Sequence, residues 1–387
     1  MGKANNKMRI SIAGDLCSEG RIRTIIEEGN YHCYFSDVKE YLKNSNYSLV
    51  NLECPICDSN YAPIPKCGPN IKSSKDVLDL VKYMGFNAIC LANNHIRDFG
   101  DNGIHNTIEQ LKKANYDYVG IGDTLEEAST PLYKSINERD ISIINCCEHE
   151  FSIVGEGKAG AAPMNPIALS YKIKEAKTKC DYVILVIHGG CEHFHLPTPR
   201  MVETYRFFID CGADAIINHH QHCYSGYEIY KGKPIFYGLG NFCFDANNPS
   251  NDIWNRGIIV TIDFGEKINF EIIPYVQNAQ KVGINIYTKE SQAYKSIMDD
   301  IKSLSAIISD PKELEKRYKQ FIESTNTFYK NAIEPYRGHY IKALYEKGFL
   351  PSLYNKDKKI LLYNLIACES HRERLLSSLQ NAFEKYE

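Results

Sequence analysis

Asp181-Tyr-Val-Ile-Leu-Val-Ile-His188 sets six apolar residues in a row and closes them with a histidine. A strand that is apolar throughout, not alternating, belongs to a sheet covered on both faces. Working outward, the same design recurs. Met8-Arg-Ile-Ser-Ile-Ala-Gly14 runs into Asp15, and Tyr47-Ser-Leu-Val-Asn-Leu-Glu53 ends on a carboxylate. Asn87-Ala-Ile-Cys-Leu-Ala-Asn93 reads as a third such strand and leads into Asn94-His95, and Asp214-Ala-Ile-Ile-Asn218 leads into His219-His220-Gln221-His222. Helical spacing fills the intervals at 35–43, 74–84, 100–114 and 199–211, with Gly85 and Gly212 as stops. Alternating strands and helices predict an α/β protein. In open α/β sheets ligands bind beyond the carboxyl ends of the strands, and that is where the polar residues gather.

Residues 132–147 read as a hairpin across Glu138-Arg-Asp140, and 227–273 as several strands with a turn at Lys231-Gly-Lys-Pro234. From about residue 291 the pattern turns helical, with a helix start at Asp310-Pro-Lys-Glu-Leu and an interruption at Ile333-Glu-Pro335. The expected division is a main domain over 1–288 and a helical C-terminal extension over 289–387, which could form a dimer interface or pack within the chain.

The chain of 387 residues carries a net charge of -3, which gives no basic footprint for nucleic acid. No apolar run is long enough to span a bilayer, and the polar start of the chain lacks the apolar core of a secretory signal. The 14 cysteines are then expected to be reduced thiols in the cytoplasm, including Cys54-Pro-Ile-Cys57, which lacks a matching second pair.

Asp15, Glu53, Asn94, His188, His220 and His222 together offer enough nitrogen and oxygen donors for one or two divalent ions. Imidazole suits Mn, Fe or Zn, and carboxylate and amide oxygens suit harder cations. Paired ions about 3.5–4 Å apart are a standard device for activating water against a phosphoester or an amide-like bond. Each residue has a plain alternative. Asp15 can cap a helix, Glu53 can be a loop acid, Asn94 can occupy a left-handed turn and His188 can be a core histidine. His220-x-His222 would place both rings on one side of an extended segment. Softer candidates are Glu192, as a general acid or a carboxylate behind a ligand, and Lys72, Arg97, His219 and Asn241 on the substrate side.

Five segments also resemble the CapA family of capsule and poly-γ-glutamate synthesis proteins. They are Asn51-Leu-Glu-Cys-Pro, Leu91-Ala-Asn-Asn-His-Ile-Arg-Asp-Phe-Gly100, His188-Gly-Gly-Cys-Glu192, Ile217-Asn-His-His-Gln-His222 and Gly232-Lys-Pro-Ile-Phe-Tyr-Gly-Leu-Gly-Asn-Phe-Cys-Phe-Asp245. The resemblance runs from Met8 to Asp245. It implies the four-layer α-β-β-α sandwich of calcineurin-like metallophosphatases. It assigns Asp15 and His222 to a first metal, Asn94, His188 and His220 to a second, and Glu53 to the bridge. His95 becomes the catalytic histidine, and Asp98 the residue that orients it. Where those phosphatases carry Asp-x-His, this chain has Asp15-Leu-Cys17, so the first site is one ligand short.

Three functions follow as expectations. The first is a metal-dependent hydrolase or transferase acting on an anionic or γ-glutamyl substrate. The second is a non-catalytic metal-binding subunit of a capsule synthesis complex. The third is a soluble biosynthetic enzyme for a small γ-glutamyl or peptide-like substrate.

Overall fold

The computed structural model describes residues 7–57, 60–66, 68–245, 252–279 and 281–367, together with 371, 372 and 375, with backbone alone at 326–333, 364 and 367. It divides into two compact units, Met1–Lys316 and Arg317–Glu387. In chain order the strands are β1 (Met8–Cys17), β2 (Tyr47–Leu52), β3 (Ala88–Cys90), β4 (Asp117–Val119), β5 (Ile121–Gly122), β6 (Leu132–Ile136), β7 (Arg139–Cys147), β8 (Gly160–Ala161), β9 (Tyr182–His188), β10 (Ala215–His219), β11 (Tyr227–Tyr230), β12 (Lys233–Phe236), β13 (Asn241–Phe244), β14 (Arg256–Phe264), β15 (Asn269–Gln277) and β16 (Ile284–Ile286). One sheet has the order β16-β15-β14-β1-β2-β3-β4, with β13 also on β1; the second has the order β11-β12-β10-β9-β7-β6. Strands β1 to β4 run parallel, as do β7, β9, β10 and β12.

Three apolar layers separate four structural ones. Val50, Leu52 and Ile89 point to the helices at Arg21–Glu28, His32–Leu42, Val77–Met84 and Gly100–Lys113. Ile10, Ile12 and Leu49 of the first sheet meet Ile143, Ile184, Val186 and Ile217 of the second. Val183, Leu185 and Ile187 turn the other way, onto the helices at Pro166–Lys179 and Pro199–Cys211. Alternate residues of β9 therefore enter different cores, which explains why the whole run had to be apolar. This is the expected α-β-β-α sandwich. The helix at Gln292–Ser309 belongs to the first unit, where it packs on β11 and β15. The helices at His339–Glu346 and Lys356–Ala367 belong to the second.

Two reversals are tighter than the sequence suggested. The β6–β7 hairpin turns at Asn137 and Glu138, both left-handed with φ of 50° and 61°, so Arg139 and Asp140 are already in the strand. The β11–β12 hairpin turns at Lys231 and Gly232, with φ of 50° and 77°. A two-residue loop with both φ positive matches the right-handed twist of the strands it joins. The third strand is also shorter than read, since pairing is confined to Ala88–Cys90.

A break in register aims the first strand's carboxylate. The β1–β2 ladder shifts between Ile12 and Asp15, and the β1–β13 ladder shifts after the Asp15–Asn241 pair. Such irregularities re-aim a side chain. The crossing is close: a Cβ on Gly14 would lie 1.9 Å from the carbonyl oxygen of Gly240. Gly14→Ala should therefore lower stability by about 1–3 kcal/mol through overpacking. Gly155→Ala, where a Cβ meets nothing within 4 Å, should change stability by less than about 0.5 kcal/mol. Urea unfolding of both variants checks the contrast, and equal midpoints would refute this account of the crossing.

Candidate metal centre

The two sheets bring their parallel strand ends to one place. Asp15 lies in β1, Glu53 directly follows β2, and Asn94 and His95 follow the short β3. His188 ends β9, and His219 ends β10, with His220 and His222 in the bend beyond. Asp15, Glu53, Asn94, His188, His220 and His222 are all buried. Every residue of the expected metal set is in this group.

The ligand atoms form two triads with one shared member. Glu53, His188 and His220 offer atoms within 4.8 Å of one another, and so do Asp15, Glu53 and His222. Nε2 of His188 lies 3.0 Å from Asn94 Oδ1, 3.1 Å from His220 Nδ1 and 3.4 Å from Glu53 Oε1. His222 Nε2 is 3.8 Å from the same Glu53 oxygen. On its other side, His222 Nδ1 donates to Asn241 Oδ1 at 2.8 Å. That leaves the Nε2 lone pair free for a cation, an orientation metal-ligating histidines take from a fixed partner. Asn241 thus faces His222.

His220 and His222 are not on an extended segment. Both have positive φ, 89° and 54°, conformations uncommon for residues with a side chain and concentrated at functional sites. They converge through backbone bending, and the i, i+2 alternation expected of a strand plays no part.

The polar accounting fits a cation. Both oxygens of Glu53 are buried with no hydrogen-bond partner, at 0% exposure of the residue. A buried unsatisfied polar group costs about 1–3 kcal/mol, and more when charged. Burial, and after it the charge of Asp15, push the Glu53 carboxyl well above its usual range. Burial pushes Asp15 up as well, but its histidine neighbours, His219 first, outweigh this and hold it well below the usual carboxylate range. Burial, and then His220, pull His188 well below the ordinary imidazole value, and burial lowers His222. Neutral imidazoles and a carboxylate with unused lone pairs are a donor set for divalent metal.

Beside this centre, His95 Nδ1 donates to Asp98 Oδ2 at 2.8 Å. Lys66 pairs with Asp98 Oδ1, and its Nζ is 3.0 Å from His95 Nδ1. Ile71 N also donates to Asp98 Oδ2, at 2.7 Å. Asp98 is completely buried, and the Lys66 side chain is only 3% exposed. Asp98 therefore holds the His95 ring, and Lys66 pairs with Asp98. Lys66 was missed because a lone lysine in a loop rich in proline gives no pattern. Trp254 was missed for the same reason: its ring stacks on His222 at a centroid distance of 4.7 Å.

Of the softer candidates, Asn241 and His219 lie at the centre, against His222 and Asp15, and the other three do not. Glu192 is exposed, with its charge felt at both Glu53 and His222. Arg97 donates to the Ala159 carbonyl at 3.0 Å and to Asp101 at 2.9 Å. Lys72 Nζ sits 5.2 Å above the Phe99 ring. His219 is inside the protein, 2% exposed.

The model of the bacterial capsule synthesis protein PGA_cap family matches residues 9–246, more than half of the chain. The chain belongs to the PGA_cap family. Among PGA_cap relatives, the capsule biosynthesis protein CapA of Bacillus anthracis is 32% identical over 251 residues, covering 63% of this chain and 61% of that protein. The PGA biosynthesis protein CapA of Bacillus subtilis (strain 168) is 30% identical over 250 residues, covering 62% and 64%. The chain thus spans less than two thirds of the length of these relatives. A crystal structure of a 5'-nucleotidase precursor from Thermus thermophilus superposes with a TM-score of 0.44 at 10% identity, covering 79% of this chain and 59% of that one. At Cys17 of this PGA_cap chain the side chain is a packed thiol. Its hydrogen bond with Cys54, and then burial, raise it well above the ordinary thiol range, so it stays protonated.

The acid–base state of the centre gives a signed prediction. Without metal, burial and the charge of Asp15 favour the protonated form of Glu53, and burial favours neutral His188 and His222. Ligands must be deprotonated to bind, so the proton comes from Glu53. Manganese binding should therefore release protons, and affinity should rise with pH. Calorimetry in buffers of different ionisation enthalpy measures this; binding with no proton release would contradict the state assigned to Glu53.

Proposed function

We propose that this protein is a metal-dependent hydrolase or transferase of capsule polymer metabolism, acting on an amide or phosphoester of an anionic, γ-glutamyl-type substrate. The observation that carries the reading is Glu53. It is wholly buried, both of its oxygens lack partners, and it belongs to both donor triads. A carboxylate so placed would be shared by two ions. The substrate class is taken from the names of the CapA relatives.

Asp15 and His222 would hold one ion with Glu53, and His188, His220 and Asn94 the other. The mixture of imidazole, carboxylate and amide donors suits Mn, Fe or Zn. Bound divalent ions supply Lewis-acid activation of water and of the substrate's electrophilic centre. The chain's own residues do the rest. Asn241 fixes His222, and Asp98 with Lys66 fixes His95. With Nδ1–H committed to Asp98, His95 has Nε2 left to face the substrate, where the ring, once protonated there, can give that proton to the leaving group. Glu192 stands at the rim as a second proton carrier.

Among the described residues no helix is long and apolar enough to cross a membrane. Buried thiols such as Cys17, Cys54, Cys90 and Cys146 fit a reducing compartment, and a cytoplasmic location is part of the proposal.

The test uses the full chain loaded with Mn²⁺, against a phosphodiester and a γ-glutamyl peptide. One of the two should turn over, and His95→Ala should lower kcat by about 10²–10⁴ while binding the same number of ions and melting at the same temperature. Unchanged kcat in that variant removes His95 from the chemistry. Tight metal binding by the wild-type chain, with no turnover of either substrate, would instead make the protein a non-catalytic metal-binding subunit.

A further inference from the structure

His219 is the outlier of the histidine cluster. It closes β10, pairs in register with His188 across the sheet, and is 1% exposed at the side chain. Both ring nitrogens are buried without a well-aligned hydrogen bond. Its Nδ1 nevertheless stands 3.3 Å from Asp15 Oδ1. Burial keeps it from a substrate arriving from solvent, and it belongs to neither donor triad.

The surroundings of Asp15 show what is left for it to do. Oδ1 already accepts from Asn51 Nδ2 at 2.7 Å, and Oδ2 accepts from the backbone N–H of His220 at 3.1 Å. A carboxylate has about four lone-pair sites. Two are taken, a third faces His219, and one remains to face Glu53 and His222. We infer that His219 is a positioning residue for the first metal site: its Nδ1–H clamps Asp15 Oδ1, so that the remaining lone pair points at the cation. The inference rests on the two-metal reading above. Its chemistry is that of the outer partner that orients a ligating carboxylate, here supplied by the residue next to a ligand in sequence. It also explains how a site with a packed, protonated Cys17 can hold an ion on few direct ligands.

The experiment is a Mn²⁺ titration of the full chain, counted by native mass spectrometry and followed through Trp254, the sole tryptophan. Its ring lies on His222, so its fluorescence reports the first site. Wild type should take two ions. His219→Leu should keep one ion at unchanged affinity and weaken the other about 10–100-fold, with the fluorescence response shifted by the same factor. His219→Gln, which keeps an N–H donor, should recover most of that loss. Equal affinities in wild type and His219→Leu would overturn the inference while leaving both metal sites standing. Failure of wild type to bind any Mn²⁺ would instead bring down the metal reading itself. If His219→Leu does not fold, Mn²⁺-loaded crystals of the wild type decide. A His219 nitrogen within bonding distance of an ion would make it a ligand and sink the positioning role, and so would an Nδ1 turned away from Asp15. Nδ1 within hydrogen-bond distance of Asp15 Oδ1, with the ion on Asp15, would support it.

Discussion

A carboxylate stripped of water and given no hydrogen bond is the constraint around which this molecule is organised. Glu53 sits at the end of β2, where the backbone N–H of Glu53 is tied to the Leu16 carbonyl at 2.8 Å, so its position is set by the pairing of the two central strands. The side chain has nowhere to retreat, because Val50 and Leu52 are locked into the apolar layer under the helices. An isolated charge in that setting is far too costly to persist, and the group keeps a proton or acquires a cation. The histidine, asparagine and aspartate side chains ringed around it are a donor set suited to the second alternative. They aim nitrogen and oxygen lone pairs at one another and at Glu53, an arrangement that a shared cation turns from repulsion into attraction.

The packing of the sheets explains why the donors can be so far apart in sequence. The layer between the sheets is built from alternate residues of β1, β2, β7, β9 and β10, which fixes the two sets of strand ends face to face. Asp15 and Glu53 come from one sheet, His188 and His219 from the other. A centre assembled across a core layer is held by apolar burial on both sides of it, so its geometry does not depend on a flexible loop. The loop that does contribute, at 220–222, is pinned: Asn218 Nδ2 donates to the carbonyls of Gly189, His219 and Tyr237 at 2.8, 2.9 and 3.1 Å, and Tyr205 donates to its Oδ1 at 2.7 Å. Within the loop itself, Gln221 Nε2 donates to the carbonyls of Phe194 and Leu196, both at 3.1 Å, which supports the positive φ of its two neighbours.

Much of this was legible in the sequence, for a physical reason. A strand buried on both faces must be apolar at consecutive positions, so the residue that breaks the run is conspicuous, and in a parallel sheet that residue stands where ligands bind. Asp15, Glu53, Asn94 and His188 were found this way. Features that depend on three-dimensional neighbours were not legible. The spacing to His222 and the resemblance set His220 apart from His219, but neither reveals that His219 is turned toward Asp15 and His220 toward His188. Lys66 has no periodic context, and its role exists only because Lys66 and Ile71 both close on Asp98. Two-residue turns at Asn137-Glu138 and Lys231-Gly232 were misplaced by a residue or two because charged residues near a reversal look alike until the register of the ladder is known.

The departure at Cys17 has a consequence for how the two sites divide their work. His188 Nε2 has three polar atoms within 3.4 Å, so the site it shares with His220 and Asn94 is densely furnished with direct ligands. The other site relies on Asp15, the shared Glu53 and His222. Two of these are steadied from behind: Asp15 by Asn51, and His222 by Asn241 and the Trp254 ring. A site with few ligands can still be well formed if those ligands have little freedom, because binding then orders few side chains that were not already ordered. Such a site would also leave more positions open for water or substrate when an ion is bound. On the proposed two-ion reading, the sparser site would be the one to take an incoming oxygen, and the denser one the structural anchor. That asymmetry follows from the donors alone, whichever divalent ion the protein takes up.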